Sequence, residues 1–427
     1  MNPILPPQFY IPDVEARQWD DGIVYLYGSC DKCGESSYCS QEYHVFGSGD
    51  MKHWIVYPQS FQSKYVHRPQ SKEVPLYAPD CEKIGDRYCL FYCQEHGEEG
   101  VAYSDAPYGP FRGARGIEPA DTDGIDPAIF IDDDGSLYYF WGQYHAKGGK
   151  LDLESCRIIP ETVTENILTE EEHGFHEGIS IRKRNGIYYM VYSDISRGRP
   201  TCLGYATSDR PLGPYKKGGI IIDNTGCDPK SWNNHGSIAE INKKWYVFYH
   251  RSTHNGYFNR QVCVEPIFFD ENGSIDEVEM TTQGAEDPLD CRKPLEAYRA
   301  CRMEGSCYID DYRDGEQCCE YIAHFRVGDA VTYKYLYFSD FTFRIFLEAS
   351  SVVENCAVKV YLDDREEEIL ARVALKRTNG KFDFQTVSAD FPGEKINGIH
   401  SLHLKLEGGK DAVVCLKTIW FAVKERD

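Results

Sequence analysis

The most regular pattern in the chain is a turn followed by a short stretch of apolar and aromatic residues. Each copy has a glycine or its equivalent, then two residues, then a tyrosine that leads into alternating or wholly apolar β-forming residues. An Asp-Gly or Asn-Gly turn before such a stretch is typical of a β-hairpin. The phrase therefore predicts the second strand of a repeated antiparallel sheet. Its five copies have their shared tyrosines at intervals of 50 to 63 residues, at Tyr25, Tyr88, Tyr138, Tyr189 and Tyr246.

Five copies at this spacing predict a five-bladed β-propeller, because about fifty residues accommodate one four-stranded blade with its turns. The repeats end near residue 285, and the Pro, Asp and Arg residues of 287–294 indicate a domain boundary. Seven short alternating runs between Tyr321 and Val423 then predict a β-sandwich. We therefore predict an all-β chain, with a five-bladed propeller over 1–288 and a jelly-roll-like β-sandwich over 295–427.

Charge and hydropathy exclude two classes of partner. The net charge of −22, with no basic cluster, repels the phosphates of nucleic acids. No run approaches the roughly 18 apolar residues that a membrane helix needs. The first residues lack a basic region followed by an apolar stretch, so we expect a cytoplasmic protein, or a secreted one if a leader has been removed.

Seventeen cysteines are scattered through both halves of the chain. In a chain with a large core and no export signal, they predict reduced thiols rather than a disulfide framework. Cys30, Cys33 and Cys39, with His44 nearby, have the residue types of a zinc site. We favour the alternative that they bind no metal, because the second Cys-x2-Cys pair of a strong zinc pattern is missing.

Three acidic residues share one position in the repeat. Counting nine residues back from the glycine of the first, third and fourth copies gives Asp13, Asp126 and Glu177. That position precedes or begins the innermost strand of a blade, and the innermost strands of a propeller surround its axis. Each acid alone could be a turn residue or a solvated strand end, but neither alternative accounts for a common register. We therefore predict that the three carboxylates converge at one mouth of the central cavity.

Carboxylates that meet in a cavity are suited to cleaving a glycosidic bond. One carboxylic acid protonates the leaving oxygen, and a carboxylate activates water. Neighbouring like charges raise the pKa of one group, which keeps it protonated near neutral pH. A wide axial cavity leaves room for water between the two groups, which favours inversion, and the chemistry requires no cofactor. These arguments leave open which carboxylate has which role.

Five short motifs occur in this order along the chain: Ile11-Pro-Asp13, Tyr77-Ala-Pro-Asp80, Gly124-Ile-Asp126-Pro, His176-Glu177-Gly and Asn234-His235-Gly-Ser. In this order they resemble family 43 of the glycoside hydrolases over about residues 1 to 285. The resemblance implies that Asp13 is the general base, that Glu177 is the general acid, and that Asp126 orients this acid and adjusts its acidity. It also implies an inverting reaction.

The same resemblance suggests contacts to substrate and metal. Arg260 matches a cavity arginine of the family that can contact substrate, and the alternative is an ordinary salt bridge. His235 is a candidate for contact with a structural calcium ion through water, and the alternative is a structural histidine. Trp141, Phe175 and Trp232 are candidates for stacking on a sugar, although aromatic residues of β-proteins more often belong to the core.

The second half of the chain contains the stretches Val331-Thr-Tyr-Lys-Tyr335, Val358-Lys-Val-Tyr-Leu-Asp363 and Gly398-Ile-His-Ser-Leu-His-Leu404. In these stretches residues 290 to 427 resemble, more weakly, the strands of a family 6 carbohydrate-binding module. Such a module needs solvent-facing aromatic residues, for which Tyr333, Tyr335, Tyr337 and Phe382 are available. The alternative, which we favour, is that the sandwich only supports the propeller.

Together these patterns predict an inverting, exo-acting glycosidase that removes terminal α-L-arabinofuranosyl residues. Its partners would be oligosaccharide fragments of arabinoxylan, arabinan or xylan. A β-D-xylosidase is the alternative, and a non-catalytic sugar-binding propeller is an alternative of a different class. The loop that contains Cys30 and Cys39 is expected at the cavity rim, where it could shape the pocket.

Overall fold

The computed structural model describes residues 1–68, 74–94, 98–119, 124–339, 341–391 and 396–424. Its strands form seven sheets. Five of these sheets follow one another along the chain as the blades of a propeller, and the last two form a β-sandwich. The predicted all-β fold is confirmed.

Each of the first four blades has four antiparallel strands in chain order, and three strands are described for the fifth. The propeller strands are β1 Glu15–Gln18, β2 Val24–Tyr27, β3 Glu42–Ser48, β4 Ile55–Gln62, β5 Asp80–Ile84, β6 Arg87–Gln94, β7 Glu98–Ser104, β8 Arg112–Gly116, β9 Ala128–Ile131, β10 Leu137–Trp141, β11 Lys147–Asp152, β12 Arg157–Ile158, β13 Phe175–Arg184, β14 Ile187–Asp194, β15 Cys202–Ser208, β16 Lys216–Asp223, β17 Ser237–Ile241, β18 Lys244–Ser252 and β19 Arg260–Ile267.

The repeated phrase forms the second strand of every blade, as predicted. The turn glycines of the first four copies have φ angles of 62 to 80°, a conformation that residues with a Cβ rarely adopt. In the fifth copy, which lacks the glycine, Asn242 and Lys243 adopt φ angles of 50° and 65°. The turn geometry is therefore conserved within the chain even where the glycine is replaced.

The N-terminal segment closes the ring by binding the fifth blade. The backbone N–H of Ile4 donates to the carbonyl of Val262 at 3.1 Å. The side-chain amide of Asn2 donates to the carbonyl of Val264 at 3.1 Å and to Glu265 Oε1 at 2.8 Å. The first residues of the chain thus hold the last blade beside the first.

The Glu265 carboxyl at this closure predicts a pH-dependent stability. Burial raises the pKa of Glu265 to about 8. Between the ordinary pKa of a glutamate and this raised pKa, the folded chain therefore holds a proton that the unfolded chain has released. Stability is therefore greatest below the unfolded pKa and falls as the pH rises to about 8, by about 1.4 kcal/mol per pH unit. Glu265→Gln removes the titration, and the Gln side chain can still accept at Oε1 from Asn2 and Thr281.

We expect the melting temperature of Glu265→Gln to rise relative to that of the wild type as the pH increases from about 5 to about 8. Thermal unfolding of both proteins across this range measures the difference, with the exposed Glu271→Gln as the matched control. A difference that does not change with pH would contradict this assignment.

The sandwich consists of two six-stranded sheets. Its strands are β20 Leu289–Asp290, β21 Leu295–Glu296, β22 Arg302–Glu304, β23 Tyr308–Asp314, β24 Gln317–Arg326, β25 Ala330–Phe338, β26 Thr342–Ser351, β27 Cys356–Leu362, β28 Ile369–Leu375, β29 Gln385–Asp390, β30 Gly398–Glu407 and β31 Val413–Val423. One short α-helix, α1 Glu170–His173, and the 3-10 turns Ser63–Tyr65, Pro160–Thr162 and Ala297–Arg299 accompany the strands.

All seven runs predicted for the sandwich are strands, but the short strands β20, β21 and β22 were not predicted, and neither were the longer strands β23 and β29. Both are rich in charged and polar residues, and they lie at opposite edges of the same sheet. An edge strand with one solvated face needs few apolar residues, so its sequence pattern is weak.

The four candidate sugar-binding aromatics of the sandwich lie in different environments. Tyr333 is fully buried and belongs to the core, which corrects its candidacy. The hydroxyl of Tyr335 bonds to Glu279. Tyr337 and Phe382 are exposed, and Phe382 stacks on Tyr312 with ring centroids 4.9 Å apart. Sugar binding by the exposed pair stays a prediction.

The sandwich packs on the fifth blade through buried polar contacts. The Arg251 guanidinium, which is 2% exposed, donates to the carbonyls of Tyr298 and Ala300 at 2.7 and 2.9 Å. Glu320 of β24 accepts from the Gln261 amide at 2.8 Å and from the Tyr10 hydroxyl at 3.1 Å. Removing one partner of such a buried polar contact destabilises an interface, so the two parts hold a defined contact.

Among the described residues, no helix has the length and apolarity to cross a membrane.

Candidate active site

The innermost strands β1, β5, β9, β13 and β17 lie side by side around the propeller axis. Asp80 of β5 joins its neighbours on both sides: its carboxylate accepts from Arg17 of β1 at 2.7 Å and from the backbone N–H of Ile129 in β9 at 2.9 Å. Asp13 and Asp126 each lie two residues before an innermost strand. The ring of strands thus positions both residues at the same rim.

The backbone bends sharply where the acids lie. Asp13 and Asp126 have φ angles of 58° and 53°, in the left-handed region that aspartate tolerates better than most residues. In β13 the pairing register shifts on both sides of Glu177, and Gly178 has a φ of 73°. Unusual backbone conformations are concentrated at functional sites in many proteins, and here they occur at all three predicted positions.

The acids converge on one imidazole. His235 Nδ1 lies 3.7 Å from Asp13 Oδ1 and 3.8 Å from Asp126 Oδ2. A Cβ on Gly178 would lie 2.8 Å from the His235 ring, so the glycine beside Glu177 is what allows the ring to approach. Asp13 and Asp126 therefore meet at His235, and the strand that carries Glu177 passes beside the same ring.

Asp13 is held as an anion by groups from the first and fifth blades. Its carboxylate accepts from Ser29 Oγ and from Arg260 Nη1, the latter at 2.9 Å, and His250 Nδ1 lies 3.5 Å away. Burial alone would raise the pKa of Asp13, but Arg260, His250 and His235 together lower it well below its usual range. The carboxylate is therefore ionised at every pH at which the protein would work.

Asp126 has the opposite electrostatic environment. Its carboxyl is buried, with 7% exposure, and the nearby charges of Glu177 and Asp13 are of like sign. Burial and these two charges raise the pKa of Asp126 well above its usual range. Two acids of the same type, at the same position in their blades, thus prefer opposite protonation states.

Glu177 is the most accessible of the three acids. It is half-buried, whereas Asp13 and Asp126 are buried. The Gln143 side-chain amide donates to Glu177 Oε2 at 2.6 Å and fixes the direction of the carboxyl. This geometry leaves Glu177 at the open side of the site, where a bound substrate could reach it.

The surroundings of His235 do not form a direct calcium site. Calcium binds six to eight oxygen ligands, while the carboxylates near His235 approach a nitrogen, and Asp13 is already paired with Arg260. Burial lowers the pKa of His235, which favours the neutral ring. The predicted contact through water stays a prediction.

Arg260 lies beneath Asp13 and is anchored by Asp31, which sequence reasoning did not identify. The guanidinium donates to Asp31 from Nε and Nη2 at 2.9 Å each, and to Asp13 from Nη1. Arg260 is 3% exposed. The arrangement favours the ion-pair alternative, because the buried guanidinium donates to two carboxylates.

Two of the three predicted stacking residues are buried in the core. Phe175 has no exposed surface and packs edge-on against Tyr192 at 5.7 Å. Trp141 is 4% exposed and lies against Tyr139. Neither presents a face to a sugar, which corrects both candidates. Trp232 is 41% exposed and stays a candidate.

A row of aromatic side chains runs from Arg260 towards Trp232. The Arg260 guanidinium lies 4.8 Å from the Tyr38 ring centre, and Tyr38 contacts Phe258 at 4.7 Å. Phe258 contacts Tyr257 at 6.0 Å, and Tyr257 contacts Trp232 at 6.4 Å. We call Tyr38, Phe258, Tyr257 and Trp232 the aromatic row. Of these four residues, only Trp232 was predicted.

The loop with Cys30, Cys33 and Cys39 does not form the zinc knuckle considered above. Cys39 is buried beside Arg260 at 3.7 Å, and Cys30 bonds to the carbonyl of Asp31. His44 accepts a bond from the backbone of Gln59. Cys30, Cys39 and His44 thus have separate partners, and the expectation that Cys30 and Cys39 bind no metal stays a prediction. Cys33 points away from the other two, towards His254.

Ser29 and His250 could have been found from the repeat. Both lie four residues after the shared tyrosine of their copy, at the end of the second strand. The first and second strands of a blade are antiparallel, so this end lies beside the start of the first strand, at the rim of the acids. Gln143 lies one position further along in the third copy. Asp31 and Tyr38 belong to an insertion, where the repeat offers no guide.

Comparison with known proteins identifies the family. Residues 1–275 match the model of the glycosyl hydrolases family 43. The chain belongs to this family. Residues 296–423 match the model of the carbohydrate binding module, family 6. This family 43 protein is also 32% identical to a xylosidase/arabinosidase of Thermoclostridium stercorarium over 394 residues, which cover 78% of this chain and 82% of that protein.

Solved structures extend the similarity to the fold. A family 43 β-xylosidase/α-arabinofuranosidase from a compost microbial metagenome, solved with xylotriose in a calcium-free form, has a TM-score of 0.57 at 26% identity and covers 65% of this chain and 97% of that one. An arabinoxylan arabinofuranohydrolase from Bacillus subtilis, solved with cellotetraose, covers 99% of this chain and 97% of that one, with a TM-score of 0.54 at 20% identity. The second comparison establishes the shared two-part fold alone. As a family 43 member, the chain is a glycoside hydrolase.

Proposed function

We propose that this family 43 protein is an inverting, exo-acting glycosidase that releases terminal α-L-arabinofuranose from hemicellulose oligosaccharides. The observation that supports this most directly is that Asp13 and Asp126, which prefer opposite protonation states, meet at His235 with Glu177 close by. Inverting hydrolysis needs an ionised base on one side of the bond and a protonated acid on the other. Fragments of arabinoxylan, arabinan and xylan are the proposed substrates.

Asp13 is the proposed general base. Its carboxylate is ionised because Arg260 and His250 lie beside it, and Ser29 and Arg260 fix its orientation. It accepts a proton from water as the water attacks the anomeric carbon, and the bond to the leaving oxygen breaks from the opposite face. Its low proton affinity makes it a weak base, so precise placement of the water contributes more than basicity.

Glu177 is the proposed general acid, and Asp126 supports it. Burial and the charges of Glu177 and Asp13 raise the pKa of Asp126, so this carboxyl holds a proton beside Glu177. Glu177 is the member of the pair that is open to the cavity, and Gln143 directs it. Glu177 therefore delivers the proton to the leaving oxygen, while Asp126 adjusts its acidity.

The sugar is proposed from relatives. The Thermoclostridium stercorarium protein is named for both xylosidase and arabinosidase activity, and so is the metagenomic enzyme. We propose α-L-arabinofuranose as the sugar that is released. β-D-Xylose is the alternative, because the two sugars present similar hydroxyl arrangements. The reaction needs no cofactor, and a structural calcium ion near His235, bound through water, is the proposed metal.

Hydrolysis of aryl α-L-arabinofuranoside and aryl β-D-xyloside tests the proposal. We expect a higher kcat/KM for the arabinofuranoside, and proton NMR of the first product should show the inverted anomer. The reverse preference would establish the xylosidase alternative. If no pentoside were hydrolysed while sugar binding persisted, the chain would be a sugar-binding propeller and the proposal would fail.

The aromatic row predicts an effect on longer substrates. Trp232→Ala should raise KM for an arabino-oligosaccharide by about 2- to 10-fold at unchanged kcat, because an aromatic contact contributes about 0.5 to 1.5 kcal/mol. The small aryl arabinofuranoside does not reach this far, so its kinetics should not change. Phe268→Ala is the control, since Phe268 is 67% exposed on another loop. Equal effects on both substrates would argue against an outer sugar contact.

A further inference from the structure

Four side chains with metal-binding atoms meet where the propeller contacts the sandwich. Cys33 comes from the loop after β2, and His254 from the loop between β18 and β19. Asp311 and Cys318 come from the hairpin formed by β23 and β24. Three of them, Cys33, His254 and Asp311, have ligand atoms within 4.8 Å of one another. We call these four residues the junction cluster, and the proposed glycosidase reaction uses none of them.

The spacing of the first three ligand atoms suits a tetrahedral ion. Cys33 Sγ lies 3.8 Å from His254 Nε2 and 3.7 Å from Asp311 Oδ1. Zinc bond lengths and tetrahedral angles separate a sulfur ligand from a nitrogen or oxygen ligand by about 3.6 Å. His254 Nε2 and Asp311 Oδ1 are 2.9 Å apart, which is a hydrogen-bond distance. This distance would have to increase by about 0.4 Å for both atoms to bind one zinc ion. Small side-chain shifts would therefore complete the site.

A hydrogen bond to the other ring nitrogen determines that His254 can present a lone pair to the cluster. The Thr253 hydroxyl lies 2.7 Å from His254 Nδ1 and donates its one proton to the carbonyl of Asn259 at 2.8 Å. The hydroxyl must therefore accept from Nδ1, so Nδ1 carries a proton. In the neutral ring the lone pair is then on Nε2, the atom aimed at Cys33 and Asp311. A metal-binding histidine is oriented in the same way by a partner at its other nitrogen.

The local backbone holds His254 in place. Its φ is 61°, and its backbone N–H donates to the carbonyl of Ile309 in β23. The ring of Tyr10 packs edge-on against the imidazole at 5.5 Å. The left-handed conformation costs free energy for a residue with a side chain, and it turns the imidazole of a propeller loop towards the carboxylate of the sandwich.

Cys318 lies beside these three, on the Oδ2 side of Asp311, and is the candidate for a fourth ligand. Asp311 pairs with Glu320 across the hairpin, which places Cys318 diagonally opposite Asp311 on the same face. Cys318 Sγ lies 3.8 Å from Asp311 Oδ2. Two thiolates, one imidazole and one carboxylate are ligands that zinc accepts, whereas calcium and magnesium prefer oxygen alone.

We propose that the junction cluster is a structural zinc site with Cys33, His254, Asp311 and Cys318 as ligands. The ion would connect the rim loop of the first blade to the sandwich. That loop also contains Asp31 and Tyr38, which contact Arg260 behind the proposed base. Zinc would thus stabilise both the contact between the two parts and the loop beside the active site.

Metal binding to the full chain tests the site independently of catalysis. The protein, kept reduced and freed of metal with a chelator, is titrated with Co²⁺ and then with Zn²⁺. We expect one equivalent of Co²⁺ to give the absorption of a tetrahedral thiolate complex, which one equivalent of Zn²⁺ abolishes. Zinc should also raise the melting temperature, because it binds the preformed site of the folded state more tightly than it binds the unfolded chain.

Cysteine variants identify the ligands. Cys33→Ser should weaken zinc binding by at least about tenfold and reduce the thiolate absorption, and Cys318→Ser should do the same. Cys30→Ser and Cys319→Ser are matched controls, since each removes a neighbouring thiol outside the cluster, and both should bind like the wild type. Cys33 is exposed, so its replacement is not expected to disturb folding, and the metal-free melting temperature checks this.

Two results would overturn the site: a wild-type chain that binds no Co²⁺ or Zn²⁺ at one equivalent, or a Cys33→Ser variant that binds like the wild type. In either case the cluster is only the ion pair of His254 and Asp311. Unchanged binding by Cys318→Ser alone would overturn its assignment as the fourth ligand. A failure of the glycosidase proposal would leave these outcomes unaffected, because none of them measures activity.

Discussion

Glu177→Gln is expected to lower kcat/KM for an arabinoxylan oligosaccharide by about 10²- to 10⁴-fold, the usual contribution of a general acid. The leaving group of this substrate is a sugar alkoxide, which departs only when it is protonated. An aryl arabinofuranoside with a dinitrophenolate leaving group needs little protonation, so the variant should lose far less activity on it. Glutamine keeps the shape of the side chain and its contact with Gln143. Steady-state kinetics on the two substrates measure the difference.

The exposed Glu171 provides the matched control for this prediction. It lies six residues before Glu177, in the short helix α1, and its carboxylate faces solvent. Glu171→Gln should therefore retain wild-type activity on both substrates. Equal losses on the activated and unactivated substrates in Glu177→Gln would contradict the role of general acid, because such losses would indicate a defect in binding or folding.

Asp13→Asn is expected to lower kcat/KM by about 10²- to 10⁴-fold on both substrates alike. Water must be activated whatever the leaving group, so an activated leaving group should not restore the rate. Asparagine tolerates the left-handed backbone conformation of Asp13, and Arg260 keeps its second carboxylate, Asp31. The variant should therefore fold, and its melting temperature checks that it does.

Asp20→Asn is the control for this second prediction. The Asp20 side chain is 92% exposed and pairs with Lys83 on the surface, where such pairs contribute little to stability. Its activity should equal that of the wild type. Activity of Asp13→Asn above a tenth of the wild-type value, or a recovery on the activated substrate, would count against Asp13 as the base.

Much of the fold followed from the sequence because the blades repeat. The second strands were predicted from one phrase, and the register of Asp13, Asp126 and Glu177 followed from counting along it. What the repeat could not predict were features outside it. Polar edge strands such as β29 give a weak pattern, and the rim loop with Asp31 has no counterpart in the other blades.

The burial of aromatic residues was also not predictable from the sequence pattern. Phe175 and Trp232 are both large aromatic residues near predicted rim positions, but one is fully buried and the other is 41% exposed. Alternation in a strand indicates which face a side chain lies on. It does not indicate what covers that face, because neighbouring blades bury both faces of most strands.

The sequence by itself determined the ring and brought three acids to one rim, because a repeated unit repeats its geometry. Only the tertiary structure decided their charges. Asp13 and Asp126 have the same side chain, the same register and the same backbone conformation. Arg260, 247 positions further along the chain, lies 2.9 Å from Asp13, while Asp126 has the acids Glu177 and Asp13 as neighbours. Proton affinity depends on the charges and burial around a group, and these come from parts of the chain that only folding brings together.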